Sequence, residues 1–125
     1  MESFESKNNN MYSKSSELTP IKLTDLADIL SALSKPQREK LVAEYNMNAL
    51  LKVFGDGGMM QTIKVFLENG MNISRTARIL YMHRNTLIYK LNSIRKLTGL
   101  DLRDFNMAVT FKVLHTLYVL NNEAL

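Results

Sequence analysis

The stretch HRNTLIYKL, residues 83–91, places four hydrogen-bonding side chains ahead of two leucines that lie one helical turn apart. Arginine pairs through two hydrogen bonds with the major-groove edge of guanine, and asparagine does the same with adenine. Arg84 and Asn85 therefore could read DNA, while Leu87 and Leu91 would hold their helix to a core. The alternative interpretation is an ordinary amphipathic helix with a polar N-terminus.

The charge around this stretch favours a polyanionic partner. Residues 58–125 contain nine basic residues (Lys or Arg) and four acidic ones (Asp or Glu). Residues 1–57 contain seven basic residues and eight acidic ones. No acidic residue occurs between Glu68 and Asp101. A block of one sign raises the local potential, and a merely solvated helix surface usually mixes acids with bases. Charge alone leaves both a nucleic-acid surface and a solvated basic face open.

The composition is that of a globular domain without redox or metal chemistry. Apolar residues make up 46% of the chain and there is no Cys, which excludes disulfides, zinc fingers and thiol catalysis. The two histidines, His83 and His115, have no metal-ligand spacing, and no catalytic triad is indicated. We expect no enzyme activity, no metal and no cofactor. The chain has neither a signal peptide pattern nor an apolar run of membrane-spanning length, so we expect a cytoplasmic protein with no membrane partner.

Periodicity predicts helices over most of the chain. The polar residues 1–20 predict a disordered tail, and residues 21–57 predict an N-terminal segment of two or three packing helices. Thr24 is the expected N-cap of the first of these helices. Ser34 is the expected N-cap of the second, with Gln37 completing a capping box.

Residues 58–125 predict a helix-turn-helix unit and a further helix. The glycine-rich 55–58 is expected to break the chain before a helix that ends at Gly70, and Asn72 is expected to open the next one. That helix runs to about Leu80, and a short turn joins it to a helix at 84–97, which is a helix-turn-helix layout. Close crossing requires a small residue, here Ala77; the expected inward residues are Ile73, Ala77, Leu80, Leu87, Leu91, Ile94 and Thr98.

A long apolar helix is predicted at 104–120. Apolar residues lie on nearly every side of it, which is typical of a helix that is either buried or paired with another chain. We expect a homodimer through this helix, with the N-terminal helices as the alternative surface, because two half-sites give a more selective DNA reader than one. The predicted fold is therefore all-α, a helical bundle that contains a helix-turn-helix.

The candidate DNA-binding residues lie around the turn and on the outward side of the second helix. His83 is expected to act as a helix N-cap or backbone contact, with a direct DNA contact as the alternative. The helix N-terminus also presents backbone N–H groups and a positive dipole end to phosphate. The full predicted set is Ser74, Arg75, Arg78, His83, Arg84, Asn85, Thr86, Tyr89, Lys90, Arg95 and Lys96.

These residues carry a resemblance to a known family. The segment LENGMNISRTARILYMHRNTLIYKLNSIRKLTGLDL closely resembles the C-terminal helix-turn-helix of the PucR and sugar-diacid regulator family of bacterial transcription factors, over roughly residues 59–120. A more distant likeness runs to Fis-type DNA-binding helices. The resemblance implies a major-groove recognition helix and regulation of genes for small-molecule catabolism. Its most specific positions are Asn72, Ser74, Thr76, Ala77, Leu80, His83, Arg84, Asn85, Thr86, Leu87, Tyr89 and Leu91.

The sequence also departs from the pattern in two ways. Many helix-turn-helix turns contain glycine where this chain has Tyr81. Regulators of this family usually carry a large sensory region upstream, and only some 58 residues precede the matching segment here. The chain is therefore either a solo DNA-binding unit or a fragment of something longer, and the sequence gives little support for sensing of a small-molecule effector.

Two functional hypotheses follow. The first is a sequence-specific regulator that binds double-stranded DNA through the helix at about 84–97. The second is a small dimerising protein-interaction module that modulates a larger regulator without binding DNA itself.

Overall fold

The computed structural model describes residues 18–123, and all regular secondary structure within them is helical. The all-α prediction is confirmed. Residues 1–17, most of the predicted disordered tail, lie outside the described residues. The seven helices of the described part are α1 (Leu23–Ser31), α2 (Lys35–Val42), α3 (Met47–Phe54), α4 (Gly57–Glu68), α5 (Ile73–Ile79), α6 (Arg84–Thr98) and α7 (Phe105–Glu123).

Local capping explains where the first two helices begin. The Ser34 hydroxyl accepts from the Gln37 amide at 3.3 Å, and the Ser34 amide donates to Gln37 Oε1 at 2.8 Å, so the predicted capping box is confirmed. The prediction of Thr24 as an N-cap is wrong. The N-cap is Lys22, two residues earlier, and its amide donates to Asp25 Oδ2 at 3.0 Å, so α1 begins at Leu23.

The glycine-rich stretch is a shorter break than predicted. Asp56 Oδ1 accepts from the Met59 amide at 3.0 Å, so Asp56 is the N-cap of α4 and Gly57 and Gly58 form its first turn. Each glycine in a helix costs about 1 kcal/mol relative to alanine, and a carboxylate N-cap contributes about as much in the opposite direction. Because this helix begins at Gly57, only Gly55 and Asp56 separate α3 from α4.

One core holds the described helices together. Leu87, Leu91 and Ile94 of α6 are at most 1% exposed, and they join a cluster that includes Leu50 of α3 and Phe66 of α4. The predicted inward stripe of α6 is therefore confirmed, and it fixes which side of this helix faces outward.

The C-terminal helix belongs to the same core. The ring of Phe54 meets that of Phe111 edge-on at 5.4 Å between centroids and lies 5.1 Å from that of Tyr118. Helix α1 also packs against α7. The arrangement connects the N-terminal segment, through α7 and α3, with the helix-turn-helix formed by α5 and α6.

Two buried threonines differ in how their hydroxyl groups are satisfied. Thr98 Oγ1 donates to the Ile94 carbonyl at 2.7 Å and accepts from the Leu100 amide at 3.1 Å. Thr76 is 0% exposed, and its hydroxyl has no hydrogen-bond partner. An unpaired buried hydroxyl carries a desolvation cost of about 1–3 kcal/mol.

We predict opposite effects for the same substitution at these two sites. Thr76→Val should leave the free energy of unfolding unchanged or raise it by about 1 kcal/mol, because the valine keeps the shape and removes the unpaired hydroxyl. Thr98→Val should lower it by about 1–2 kcal/mol, since the Leu100 amide loses its acceptor. Denaturant unfolding of both variants measures the difference; a loss of stability in Thr76→Val as large as that in Thr98→Val would contradict the prediction.

Candidate nucleic-acid interface

Helices α5 and α6 form the predicted helix-turn-helix. Helix α5 begins where the sequence predicts it, and Asn72 Oδ1 caps it by accepting from the Arg75 amide at 2.8 Å. Ala77, in the middle of α5, is 4% exposed and allows α5 to approach α6 closely. Leu80 ends α5, and only residues 81–83 separate it from the start of α6.

His83 organises the start of α6. Its Nδ1 atom accepts from the Asn85 amide at 3.0 Å, which confirms the predicted N-cap. The His83 carbonyl accepts from the Thr86 amide at 3.0 Å and from the Leu87 amide at 3.2 Å. Amides that we expected to face a phosphate are thus already bonded within the chain. Anion binding at this end would depend on the helix dipole and on cationic side chains.

The Arg84 side chain connects the two helices of the motif. Its Nη1 atom donates to Ser74 Oγ at 2.9 Å, and both residues are exposed. Arginine has five N–H donors, so this bond leaves the outer edge of the guanidinium able to bind a second acceptor. The structure therefore brings together two of the predicted DNA-binding residues and gives Ser74 a positioning contact with Arg84.

The outward face of α6 carries polar and aromatic side chains. Asn85, Tyr89 and Lys96 are exposed, and their spacing puts them on one side, opposite the buried stripe. Tyr89 is 73% exposed. Thr86 is also exposed, whereas Lys90, in the middle of α6, is half-buried.

The predicted DNA-binding residues are distributed along the whole length of α6 and onto α5. With a rise of about 1.5 Å per residue, Lys96 lies about 18 Å along the axis from Arg84. Arg95 and Lys96 are exposed at the C-terminal end of α6, while Arg75 and Arg78 are exposed on α5. The site is therefore an extended basic surface, with Arg84 and Asn85 at one end of α6 and Arg95 and Lys96 at the other.

One outward residue of α6 has a structural contact. Asn92 Oδ1 accepts from Arg103 Nη2 at 2.8 Å, and Arg103 Nε also donates to Asp101 Oδ1 at 2.8 Å. The Arg103 hydrogen bond holds the pKa of the Asp101 carboxyl below its ordinary value. These contacts tie the α6–α7 connection to α6. They also pair the acid nearest the end of α6 with a cation, which limits its repulsion of a polyanion.

Tyr81 is a feature of this surface that sequence reasoning did not include. It lies in the turn with φ of 53°, in the left-handed region, and its side chain is 97% exposed. The left-handed conformation costs a residue with a Cβ atom about 1–2 kcal/mol. The absence of glycine from the turn was the only signal in the sequence, and it indicated strain rather than a contact.

Neither a cluster of metal-ligand side chains nor a helix of membrane-spanning character occurs in the described part of the chain. Residues 18–123 contain no group of three or more His, Asp or Glu side chains placed to hold a metal ion. None of their helices is both long and apolar enough to cross a membrane.

Comparison with known proteins identifies relatives of the helix-turn-helix. Residues 59–116 match the family described as the PucR C-terminal helix-turn-helix domain. The chain is 34% identical over 80 residues to the purine catabolism regulatory protein of Bacillus subtilis, which covers 64% of this chain and 15% of that protein. It is 39% identical over 59 residues to the carbohydrate diacid regulator of Escherichia coli, covering 46% of this chain and 15% of that protein.

A solved structure shares the fold. The regulator of polyketide synthase expression from Bifidobacterium adolescentis superimposes with a TM-score of 0.52 at 23% identity, over 81% of this chain and 43% of that one. The chain thus spans 15% of the length of each of the two curated relatives and less than half of the solved one.

The His83 cap predicts a stability effect that is separate from any binding role. His83→Ala should lower the free energy of unfolding by about 0.5–2 kcal/mol, because the Asn85 amide loses its acceptor. His83→Asn should retain most of the stability, since asparagine is a favourable N-cap. Thermal and denaturant unfolding of the two variants tests this. Equal losses in both would show that the imidazole supports the fold in some other way.

Proposed function

Because residues 59–116 match the PucR C-terminal helix-turn-helix family, we propose that the chain is a sequence-specific double-stranded DNA-binding transcriptional regulator. Helix α6 enters the major groove with its N-terminal residues toward the base edges. Arg84 and Asn85 contact bases, and Thr86 and Lys90 contact phosphates. The proposal assigns no catalytic step to the chain.

The observation that carries this proposal is the outward surface of α6. Its inner side is held by three side chains that are at most 1% exposed, so the opposite side is presented rigidly to solvent. No acidic residue occurs from 69 to 100, a range that covers α5, the turn and α6. A rigid helix face with cations, amides and an aromatic ring, and without carboxylates, is complementary to DNA.

The remaining residues of the predicted set support this contact from the sides. Arg75 and Arg78 on α5 lie where the first helix of such a motif crosses the DNA backbone. Arg95 and Lys96 reach phosphates further along the groove. Ser74 holds Arg84 through their 2.9 Å hydrogen bond, and Tyr89 lies on the face that enters the groove. His83 acts as the cap that fixes the direction of α6.

The same relatives suggest a biological setting. Two of them are named as regulators of purine catabolism and of carbohydrate diacids. This chain covers 15% of each of these proteins. We therefore limit the proposal to DNA binding.

We further propose that the DNA-bound form is a homodimer through the first half of α7. Phe105 is 69% exposed and Val109 is 46% exposed, and their spacing of four residues puts them on one side of the helix. Exposed apolar residues at this spacing are a suitable dimer contact. A two-fold pair doubles the base pairs that one helix-turn-helix reads.

A second candidate function is the protein-interaction module. A groove of about 580 Å³ between α3, α4 and α7 favours it, because its floor is apolar, with Phe54, Ile63 and Phe111 among its lining residues. In that case a larger regulator would bind this chain, and substitutions on the outward face of α6 would leave the partnership intact.

Selection from a pool of random duplex DNA tests the leading proposal. We expect an enriched, roughly palindromic sequence and an affinity that falls steeply as salt rises, because bound cations release counterions from DNA. Arg84→Ala should weaken binding to the selected duplex by about 1–3 kcal/mol and relax the preference at one base pair of each half-site.

Lysine substitutions provide the matched comparison. Lys96→Ala should weaken binding to all sequences alike and reduce the salt slope by about 1. Lys64→Ala removes the same charge from the exposed surface of α4, outside the helix-turn-helix. It should leave the affinity for DNA and the salt slope unchanged. If the wild-type chain enriches no sequence, the DNA-reading proposal is wrong and the second candidate replaces it.

The proposed dimer contact has its own test. Phe105→Glu should shift the chain toward the monomer in sedimentation equilibrium, because a carboxylate would have to be buried against an apolar partner face. Asn106→Glu adds the same charge to the adjacent exposed position of α7 and should leave the association unchanged. Equal effects of the two variants, or a wild-type chain that is monomeric with and without its selected duplex, would rule out this interface.

A further inference from the structure

Two helices of this chain end with the same hydrogen-bonding motif but with different residues in it. At the end of α4, the Met71 amide donates to the Phe66 carbonyl at 2.9 Å, and Gly70 has φ of 66°. At the end of α5, the Met82 amide donates to the Ala77 carbonyl at 2.9 Å, and Tyr81 has φ of 53°. This motif normally has glycine in its left-handed position, because a Cβ atom is strained there. At the end of α5 a tyrosine bears that strain.

Packing does not explain why a tyrosine occupies the position. Met71 is the other non-glycine residue with a positive φ in the described part of the chain, and its side chain packs against the core. Tyr81, by contrast, is 97% exposed. Its ring buries almost no apolar area, so the fold gains nothing that offsets the strain. A strained residue whose side chain does not support the fold indicates a function outside the fold.

The position of Tyr81 suggests what that function is. It lies two residues before His83, the cap of α6, and three before Arg84, so its Cα atom is within about 12 Å of that of Arg84. Arg78 and Arg84 are exposed on either side of it in the sequence. Tyr81 therefore exposes an aromatic hydroxyl close to the N-terminal end of α6, which carries the proposed base-reading residues.

We propose that Tyr81 is a DNA-contacting residue whose hydroxyl donates a hydrogen bond to a phosphate oxygen beside the groove that α6 enters. The inference depends on the proposed DNA-binding function and adds to it a residue that positions the helix on the backbone. Tyrosine is among the side chains that make such phosphate contacts, and these contacts fix register without reading sequence. Because the hydroxyl is neutral, it adds affinity without displacing a counterion.

Tyr81→Phe isolates the hydroxyl. We expect it to weaken binding about threefold to tenfold, equally for the selected duplex and a scrambled duplex, with an unchanged salt slope and an unchanged unfolding midpoint. Fluorescence anisotropy at several salt concentrations measures the affinity for the selected duplex, the affinity for the scrambled duplex and the salt slope. Wild-type affinity in Tyr81→Phe would overturn the inference and leave the proposed function standing. A loss confined to the selected duplex would also overturn it, since it would indicate base reading.

Tyr81→Gly tests the premise about the fold. Glycine removes the side chain and the left-handed strain together, so the unfolding midpoint should stay the same or rise while DNA binding falls at least as far as in Tyr81→Phe. Gly70→Ala is the reciprocal control at the equivalent position of α4, and it should lower the midpoint. A clear fall of the midpoint in Tyr81→Gly would show that the ring supports the fold and would overturn the inference. If the wild-type chain selects no duplex at all, the proposed function itself fails.

Discussion

The burial of one side of α6 is the interaction on which the rest of the structure depends. Leu87, Leu91 and Ile94 are at most 1% exposed, and each contributes about 1.5–3 kcal/mol relative to an exposed position. The exposed hydrogen bond between Arg84 and Ser74 contributes much less, because water competes for both partners. The core therefore determines which face of α6 is exposed to solvent. The polar contacts determine only the orientation of individual side chains on that face.

Local contacts at the turn determine where α5 begins and where α6 begins. Asn72 fixes the start of α5, the left-handed Tyr81 turns the chain, and His83 restarts it, all within twelve residues. Each contact is local and each contributes on the order of 1 kcal/mol or costs about as much. Their sum is small beside the buried stripe. The surface that we propose for DNA binding is consequently assembled from residues whose contribution to folding is slight or unfavourable.

The sequence predicted the features that depend on helical periodicity and on contacts within a few residues. The stripe of α6, the Ser34 cap and the helix start at Asn72 follow from such patterns, and the structure has them as predicted. Thr24 failed as a cap because the helix begins before it: the Leu26 amide donates to the Lys22 carbonyl, and the Lys22 amide donates to Asp25. The Asn92–Arg103 bond joins residues eleven apart across a connection, and the full exposure of Tyr81 depends on the fold around the turn. Neither follows from local pattern alone.

The core also relates the proposed dimer contact to the proposed DNA-binding helix. Phe111 of α7 packs against Phe54 of α3, and both belong with Leu91 of α6 to one buried cluster. Close-packed interiors of this kind transmit displacements rather than absorb them. In a dimer formed through α7, the packing from Phe111 through Phe54 to Leu91 would therefore set the distance between the two α6 helices. Half-site spacing in a DNA site mirrors the separation of the two reading helices. A substitution that reshapes the Phe54–Phe111 contact would then alter the preferred spacing without touching any residue at the DNA surface.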